Sequence, residues 1–281
     1  MNGIELKNLT KHYGNLCALE QVNLTLEENK IYGLLGRNGA GKTTLLNIIT
    51  NRIFADDGEA TVDGETVVNN DKALGKIYML SEKLYYPERM KINNIFQWTK
   101  SFYPDFDKAY AIRLCEMFEL NPNKTLRSLS TGYLTIFKLI IALSVNVPYL
   151  LLDEPVLGLD AYHRDLFYRI LLEKFSEKPC TIVISTHLIE EVSGIIEEVI
   201  IMKQGKLIHK EACEELLSKG YTISGKAADV DAFIADRRVI GVDTLGGLKV
   251  AYLLGKPDSN ISKDLEISHL DLQKLFIQLT N

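Results

Sequence analysis

Three groups of polar residues stand at the ends of short apolar runs. The first is Gly36-Arg37-Asn38-Gly39-Ala40-Gly41-Lys42-Thr43, which fits Gly-x-x-x-x-Gly-Lys-Ser/Thr. Glycines there let the backbone turn so that successive N–H groups point at phosphate oxygens. A helix opening at Lys42 adds its positive N-terminal pole. Lys42 supplies a full charge at the β- and γ-phosphates, and the Thr43 hydroxyl suits Mg²⁺. The chemistry is that of a nucleoside triphosphate, which kinases, GTPases, motors and transport ATPases share.

The second group closes Leu150-Leu-Leu-Asp153-Glu154-Pro155. Asp153 can reach a cation held by Thr43, directly or through water. Glu154 then lies near the γ-phosphate, where a carboxylate can polarise an attacking water. The third is Ser185-Thr186-His187, whose imidazole can hydrogen-bond the γ-phosphate or that water. A single strand-end acid or histidine would read as a solvated surface residue. The shared position promotes all three, because ligands of parallel sheets sit at the carboxyl ends of the strands.

The elements that must position them follow from periodicity. Ile4 and Leu6, then Val22, Leu24 and Leu26, alternate with polar residues as half-buried strands do. Ile31–Leu35, Ile77–Leu80, Tyr149–Asp153 and Thr181–Ser185 read as short buried strands. Lys42–Thr50 has a helical pattern, and helical periodicity rich in aromatics runs over about 88–145. Strands alternating with helices predict an α/β core around a mostly parallel sheet. Beyond residue 220, Tyr221–Gly225, Val239–Val242 and Lys249–Leu254 are strand-like, Asp229–Arg237 is helix-like and Thr244–Leu248 is a turn candidate. The expected division is a domain of residues 1–220 and a small α+β appendage of 221–281.

Composition narrows the class. The chain has 281 residues, 46% hydrophobic and 25% charged, with a net charge of −5, which is globular and not disordered. The acidic balance argues against a dedicated nucleic-acid binder. The longest nearly apolar stretch, Leu139–Leu152, is interrupted by Ser144, Asn146 and Pro148, too short to span a bilayer. The start, Met-Asn-Gly-Ile-Glu, lacks a basic-then-apolar run, so no secretory signal is expected. Cys17, Cys115, Cys180 and Cys213 are scattered and read as reduced thiols.

Over residues 2–218 the order of motifs resembles the ATP-binding subunit of ABC transporters. Tyr13, in Lys11-His-Tyr-Gly14, matches the aromatic that stacks on adenine in that family, and Gly36–Thr44, including Thr44, matches its phosphate loop. Leu129-Ser130-Thr131-Gly132-Tyr133 matches the signature Leu-Ser-Gly-Gly-Gln. Asp153 and Glu154 match the Walker B aspartate and catalytic glutamate, Gly158-Leu-Asp160 the D-loop, and His187 the switch histidine. The spacings, 23 residues from Ser130 to Asp153 and 34 from there to His187, are also similar to the family's. The resemblance implies a P-loop ABC ATPase core with a helical subdomain near 88–145. It also implies ATP and Mg²⁺, the latter bound by Thr43, Asp153 and Glu82. Ser130, beginning a helix, makes a phosphate site. In the family that site closes on the nucleotide of a second subunit in a head-to-tail dimer.

The sequence departs from the family in four places, at five residues. Glu82 replaces a glutamine and adds negative charge near the phosphates. Thr131 and Tyr133 replace glycine and glutamine of the signature. Ile136 replaces a basic residue, with Lys138 nearby, and Leu157 replaces the serine before the D-loop glycine. The changes fall mainly on the surface offered to a partner, which points to a heterodimer whose partner carries the weaker Walker site; a homodimer of slow turnover competes with this.

In the family a helix of the membrane subunit docks between the core and the helical insertion. Glu82–Met90, with Phe96, Trp98, Phe102 and Tyr103, suits such a groove. Phe96, Trp98 and Phe102 fit equally the core of the insertion. The signature and the appendage, with the end Ser268–Thr280 resembling a C-terminal helix, are similar to subunits of bacterial ABC-2-type exporters. The resemblance implies integral-membrane permease partners and a cytoplasmic chain held on the inner membrane face. Two alternatives stay open: an ABC ATPase acting on ribosomes or DNA, and a nucleotide-gated module that barely hydrolyses.

Overall fold

The structure is a computed structural model that describes residues 2–255, 257 and 264–280. β1 (Ile4–Tyr13) and β2 (Leu16–Leu26) form an antiparallel hairpin. Ile4, Leu6 and Leu9 of one strand and Leu19, Val22, Leu24 and Leu26 of the other turn inward. β3 (Ile31–Gly36) is buried along its whole length and feeds, through a glycine-rich loop, α1 (Lys42–Ile49). β4 (Asp57–Val62) and the short β5 (Glu65–Thr66) complete a four-stranded antiparallel sheet of order β2-β1-β4-β5. α2 (Asp71–Leu74), capped by the Asn70 side chain, leads into β6 (Ile77–Leu80).

The aromatic stretch folds as α3 (Ile92–Phe102), α4 (Lys108–Met117) and α5 (Thr131–Ser144). Asp107 caps α4 and Ser130 caps α5 through their side chains, as their acceptor oxygens favour. Phe96 lies against Phe106 and Phe137 in its fully buried interior, and Phe118 is buried in the same core. Truncating such a phenylalanine to alanine costs about 3–5 kcal/mol. Phe96 is core, whereas Trp98 is 39% and Phe102 64% exposed. Helical spacing explains the split, because two positions along a helix turn the side chain to the opposite side.

β7 (Tyr149–Asp153), α6 (Ala161–Glu177), β8 (Thr181–Thr186), α7 (Ile189–Val192), β9 (Glu198–Lys203) and β10 (Lys206–Ala212) finish the central sheet. Its order is β10-β9-β3-β8-β7-β6, parallel except for β10. Both faces are covered, so apolar side chains alternate between two cores. Leu150 and Leu152 join the helical side, and Tyr149 and Leu151 join the side of the antiparallel sheet.

After α8 (Cys213–Ser218) come β11 (Gly220–Lys226), α9 (Ala227–Ile234), β12 (Val239–Leu245), β13 (Leu248–Leu254), β14 (Leu265–His269) and α10 (Leu272–Thr280). Their sheet is antiparallel, β12-β13-β11-β14, and the two-residue turn at Gly246-Gly247 uses φ 60° at Gly246. The end of the chain differs from a single helix over Ser268–Thr280: Ser268 and His269 pair with β11 as the end of β14. Leu272, Leu275 and Phe276 of α10 belong to the same core as Ile189 and Val192 of α7. Through α10, Tyr252 and Leu270 the appendage joins the core of the sheet that carries the polar strand ends, while Tyr221, Ile223, Val230, Ala251 and Leu253 form a separate small core of its own. Among the described residues no helix is long and apolar enough to cross a membrane.

Candidate nucleotide site

The carboxyl ends of β3, β7 and β8 lie side by side, with Leu35 in register with Thr186 and Asp153 with Ser185. The loop after β3 is held tight by its glycines. A Cβ on Gly36 would stand 2.9 Å from both Ala40 Cβ and Met202 O, and one on Gly41, at φ 103°, 2.6 Å from Ala18 O. Lys42 opens α1 with only 6% of its surface exposed, and its ammonium donates to Gly36 O at 2.6 Å. Burial pulls its pKa down, against the attraction of Glu154 and Asp153. A desolvated cation held only by carbonyls binds incoming anionic oxygens strongly.

At the end of β7, Asp153 is 6% exposed and accepts from two hydroxyls, Thr43 Oγ1 at 2.8 Å and Ser185 Oγ at 2.8 Å. Burial raises its carboxyl pKa, while the Ser185 and Thr43 hydrogen bonds oppose the rise. A divalent cation there would favour the ionised form. Among the described residues no three His, Cys, Asp or Glu side chains converge on a metal position. Thr43 and Asp153 instead offer two oxygens, a set that fits Mg²⁺ held jointly with phosphate oxygens and water.

Glu154 follows at φ 46°, a left-handed conformation that costs a residue with a Cβ about 1 kcal/mol or more. Its environment holds it there. Its N–H donates to Ser185 O at 2.8 Å, and its carboxylate accepts from Thr186 Oγ1 at 3.2 Å and lies 2.9 Å from His187 Nδ1.

A cleft of about 520 Å³ runs from Tyr13 past the loop Asn38–Thr44 to Asp153 and Glu154. Tyr13 is 49% exposed at its mouth, so its ring is open to a flat apolar partner. On the other side of Asp153 and Glu154 lies a cavity of about 280 Å³, walled by Glu82, Thr131, Lys138 and Gly158. Burial pulls the Lys138 ammonium pKa down, against the nearby Glu82 carboxylate.

The structure therefore gathers Tyr13, Asn38, Gly39, Ala40, Gly41, Lys42, Thr43, Thr44, Asp153 and Glu154 on one cleft, with His187 joined through Glu154. Arg37 borders a neighbouring hollow and Gly36 lies beneath the loop. Ser130, Thr131, Gly132 and Asp160 do not line that cleft. Ser130 and Thr131 are exposed at the start of α5, where the Ser130 hydroxyl accepts from Tyr133 N at 3.4 Å. Asp160 caps α6 through His163 N at 2.9 Å. Leu16, Cys17, Ala18 and Gln204 also line the cleft and escaped the motif reading, because nothing in their types marks them. Ser185 and Thr186 were signalled only as polar tips of a buried strand.

Residues 19–157 match the family model described as ABC transporter. The ABC transporter ATP-binding protein YtrB of Bacillus subtilis is 32% identical over 83% of this chain and 80% of its own length. The petrobactin import ATP-binding protein YclP of Bacillus subtilis is 26% identical, over 76% of this chain and 88% of its own. The bacitracin transport ATP-binding protein BcrA of Enterococcus faecalis is 29% identical, over 76% and 70%. Among solved structures, a dimeric bacterial ABC transporter cassette superimposes with a TM-score of 0.68 at 26% identity, covering 75% of this chain and 98% of its own. Identity at this level over most of both chains, with the fold reproduced, decides the question: the chain belongs to the ATP-binding proteins of ABC transporters and is an ATPase.

Proposed function

We propose that this chain is the ATP-hydrolysing subunit of an exporter, working on the cytoplasmic face beneath separate permease subunits and closing on a second ATPase subunit. The observation that carries the catalytic part is the Glu154 carboxylate held between Thr186 and His187 at the edge of the phosphate-loop cleft. Tyr13 stacks on adenine, the loop Gly36–Thr44 wraps the phosphates, and Lys42 leaves its carbonyls for their oxygens. Thr43 and Asp153, with Glu82 from the adjoining cavity, would hold Mg²⁺. When bound, that ion neutralises developing phosphate charge. Glu154 orients the attacking water, and His187 supports Glu154 and the γ-phosphate.

Ser130, Thr131, Gly132 and Asp160 serve the partner's nucleotide, which agrees with their place outside this chain's own cleft, where Ser130, Thr131 and Asp160 are exposed and Gly132 half-buried. Residues 1–220 act as the ATP-binding domain, with 88–145 as its helical subdomain, and 221–281 as an accessory domain. Export is favoured by the likeness of signature and appendage to ABC-2-type subunits; the relatives include one named for bacitracin transport and one for petrobactin import, so direction rests on that likeness. Purification from membranes with bound partners tests the assembly. ATP-dependent uptake into inside-out vesicles supports export, and uptake into right-side-out vesicles would reverse it. Robust turnover by the isolated chain, unaffected by any partner, would sink the heterodimer arrangement.

A further inference from the structure

One face of α5 looks onto the rear of the nucleotide site. Thr131, Leu134, Thr135 and Lys138, at helical spacing, line the 280 Å³ cavity that Asp153 and Glu154 close from the other side. Two of these side chains cross to the loops that flank the carboxylates. Thr135 Oγ1 donates to Leu157 O at 3.1 Å, in the turn after Glu154. Lys138 Nζ donates to Ser81 O at 3.1 Å and to Glu82 O, in the loop after β6.

The same loop is fastened on its far side. Arg52, just past α1, donates to Ser81 Oγ at 3.1 Å and to Met79 O at 3.2 Å, and its guanidinium lies 4.6 Å from the Tyr85 ring centroid. The Glu82 loop is therefore strung between the phosphate-loop helix and the helix that begins with Ser130. On the α5 side, Lys138 supplies both hydrogen bonds. Its cation also faces the extra negative charge that Glu82 brings to this site.

We propose that Lys138 is a positioning residue that clamps the Glu82 loop to α5, so that the seating of the helical subdomain sets the seating of Glu82 beside Asp153 and Glu154. The acceptors are backbone carbonyls, so the clamp does not depend on what the Glu82 carboxylate itself binds. It rests on the ATPase activity alone and not on the direction of transport.

The chain carries its own reporter. Trp98 is its single tryptophan, and its ring lies 6.1 Å from that of Tyr86, four residues beyond Glu82. Acrylamide quenching of Trp98 without nucleotide reads the loop directly on the purified full chain. In Lys138→Met, quenching should rise about 1.5-fold or more as the loop opens locally. In the same variant kcat should fall about five-fold, with the Kd for ATP in a Glu154→Gln background changed less than about two-fold. Lys138→Arg, which keeps donors and reach, should recover at least half of both effects. Should Lys138→Met not fold, Lys138→Gln, too short to span both carbonyls, takes its place with the same expectations.

Wild-type quenching and kcat in the methionine or glutamine variant would overturn the proposal. So would an arginine variant as impaired as methionine at equal thermal stability, or a loss of ATP affinity in step with kcat. An inactive wild-type chain would count instead against the roles given to Glu154 and His187, and the quenching arm would still decide the clamp.

Discussion

His187 Nδ1 lies 2.9 Å from Glu154 Oε1, joining the ends of two adjacent parallel strands 33 residues apart in sequence. The carboxylate accepts, which places the proton on Nδ1 and leaves Nε2 for another partner. In the proposed mechanism, a water held by Glu154 would have a base whose orientation is set from the neighbouring strand. Glu154→Gln keeps the hydrogen-bonding shape but removes the base, and is expected to lower kcat by about 10²–10⁴ with ATP binding retained. His187→Ala, which removes only the support, is expected to cost less. Steady-state hydrolysis beside equilibrium binding checks both.

Asp153 is oriented by Ser185 on one oxygen and by Thr43 on the other. Ser185→Ala leaves Thr43 and Asp153, the proposed Mg²⁺ ligands, in place but frees the carboxylate to rotate. The Mg²⁺ concentration for half-maximal turnover is expected to rise about ten-fold or more, with kcat at saturating Mg²⁺ changed far less. A Mg²⁺ titration of hydrolysis reads it. Equal loss at all Mg²⁺ concentrations would speak against this orienting role.

Tyr13 stands at the mouth of the cleft, half exposed and separated from the phosphate loop by the cleft itself. Tyr13→Ala is expected to weaken ATP binding by about ten-fold, the worth of one base–aromatic stack, and Tyr13→Trp to restore it. Binding of triphosphate without a base should be indifferent to both. Fluorescent-nucleotide competition measures the difference.

Lys174 of α6 reaches the end of α5, donating to Val145 O at 3.1 Å and to Leu143 O. Burial pulls its pKa from 10.5 down to about 8. Between these values the unfolded chain binds the extra proton, so this group makes stability rise with pH across that window. Below about 8 both states are protonated and its contribution is flat. Urea unfolding at about pH 7, 9 and 10 should show a steeper rise for the wild type than for Lys174→Met, by up to about 3 kcal/mol over the window. Parallel curves would refute the assignment.

The sequence by itself determined the parts that depend on neighbours in the chain. The phosphate loop, the strands ending at Asp153 and Ser185, and the helix start at Ser130 follow from glycine spacing, short continuous apolar runs and an acceptor side chain. The class of chemistry was legible for that reason, and so was the α/β sheet.

Only tertiary structure decided which of these residues meet, because sheet order and helix seating are set by burial summed over the whole core. Thr43 and Asp153, 110 residues apart, touch because β7 and β3 flank β8 and α1 packs beside them. Lys138 sits 56 residues from the Glu82 carbonyl it holds, and nothing in its neighbourhood in sequence distinguishes it from a surface lysine. Phe96 is core and Trp98 is exposed for the same kind of reason, since both are aromatic and only the packed face of α3 separates them. The last helix, too, could be read as amphipathic from its residues. That it buries Leu275 and Phe276 in the core shared with α7, directly after His187, is a fact of packing between distant segments.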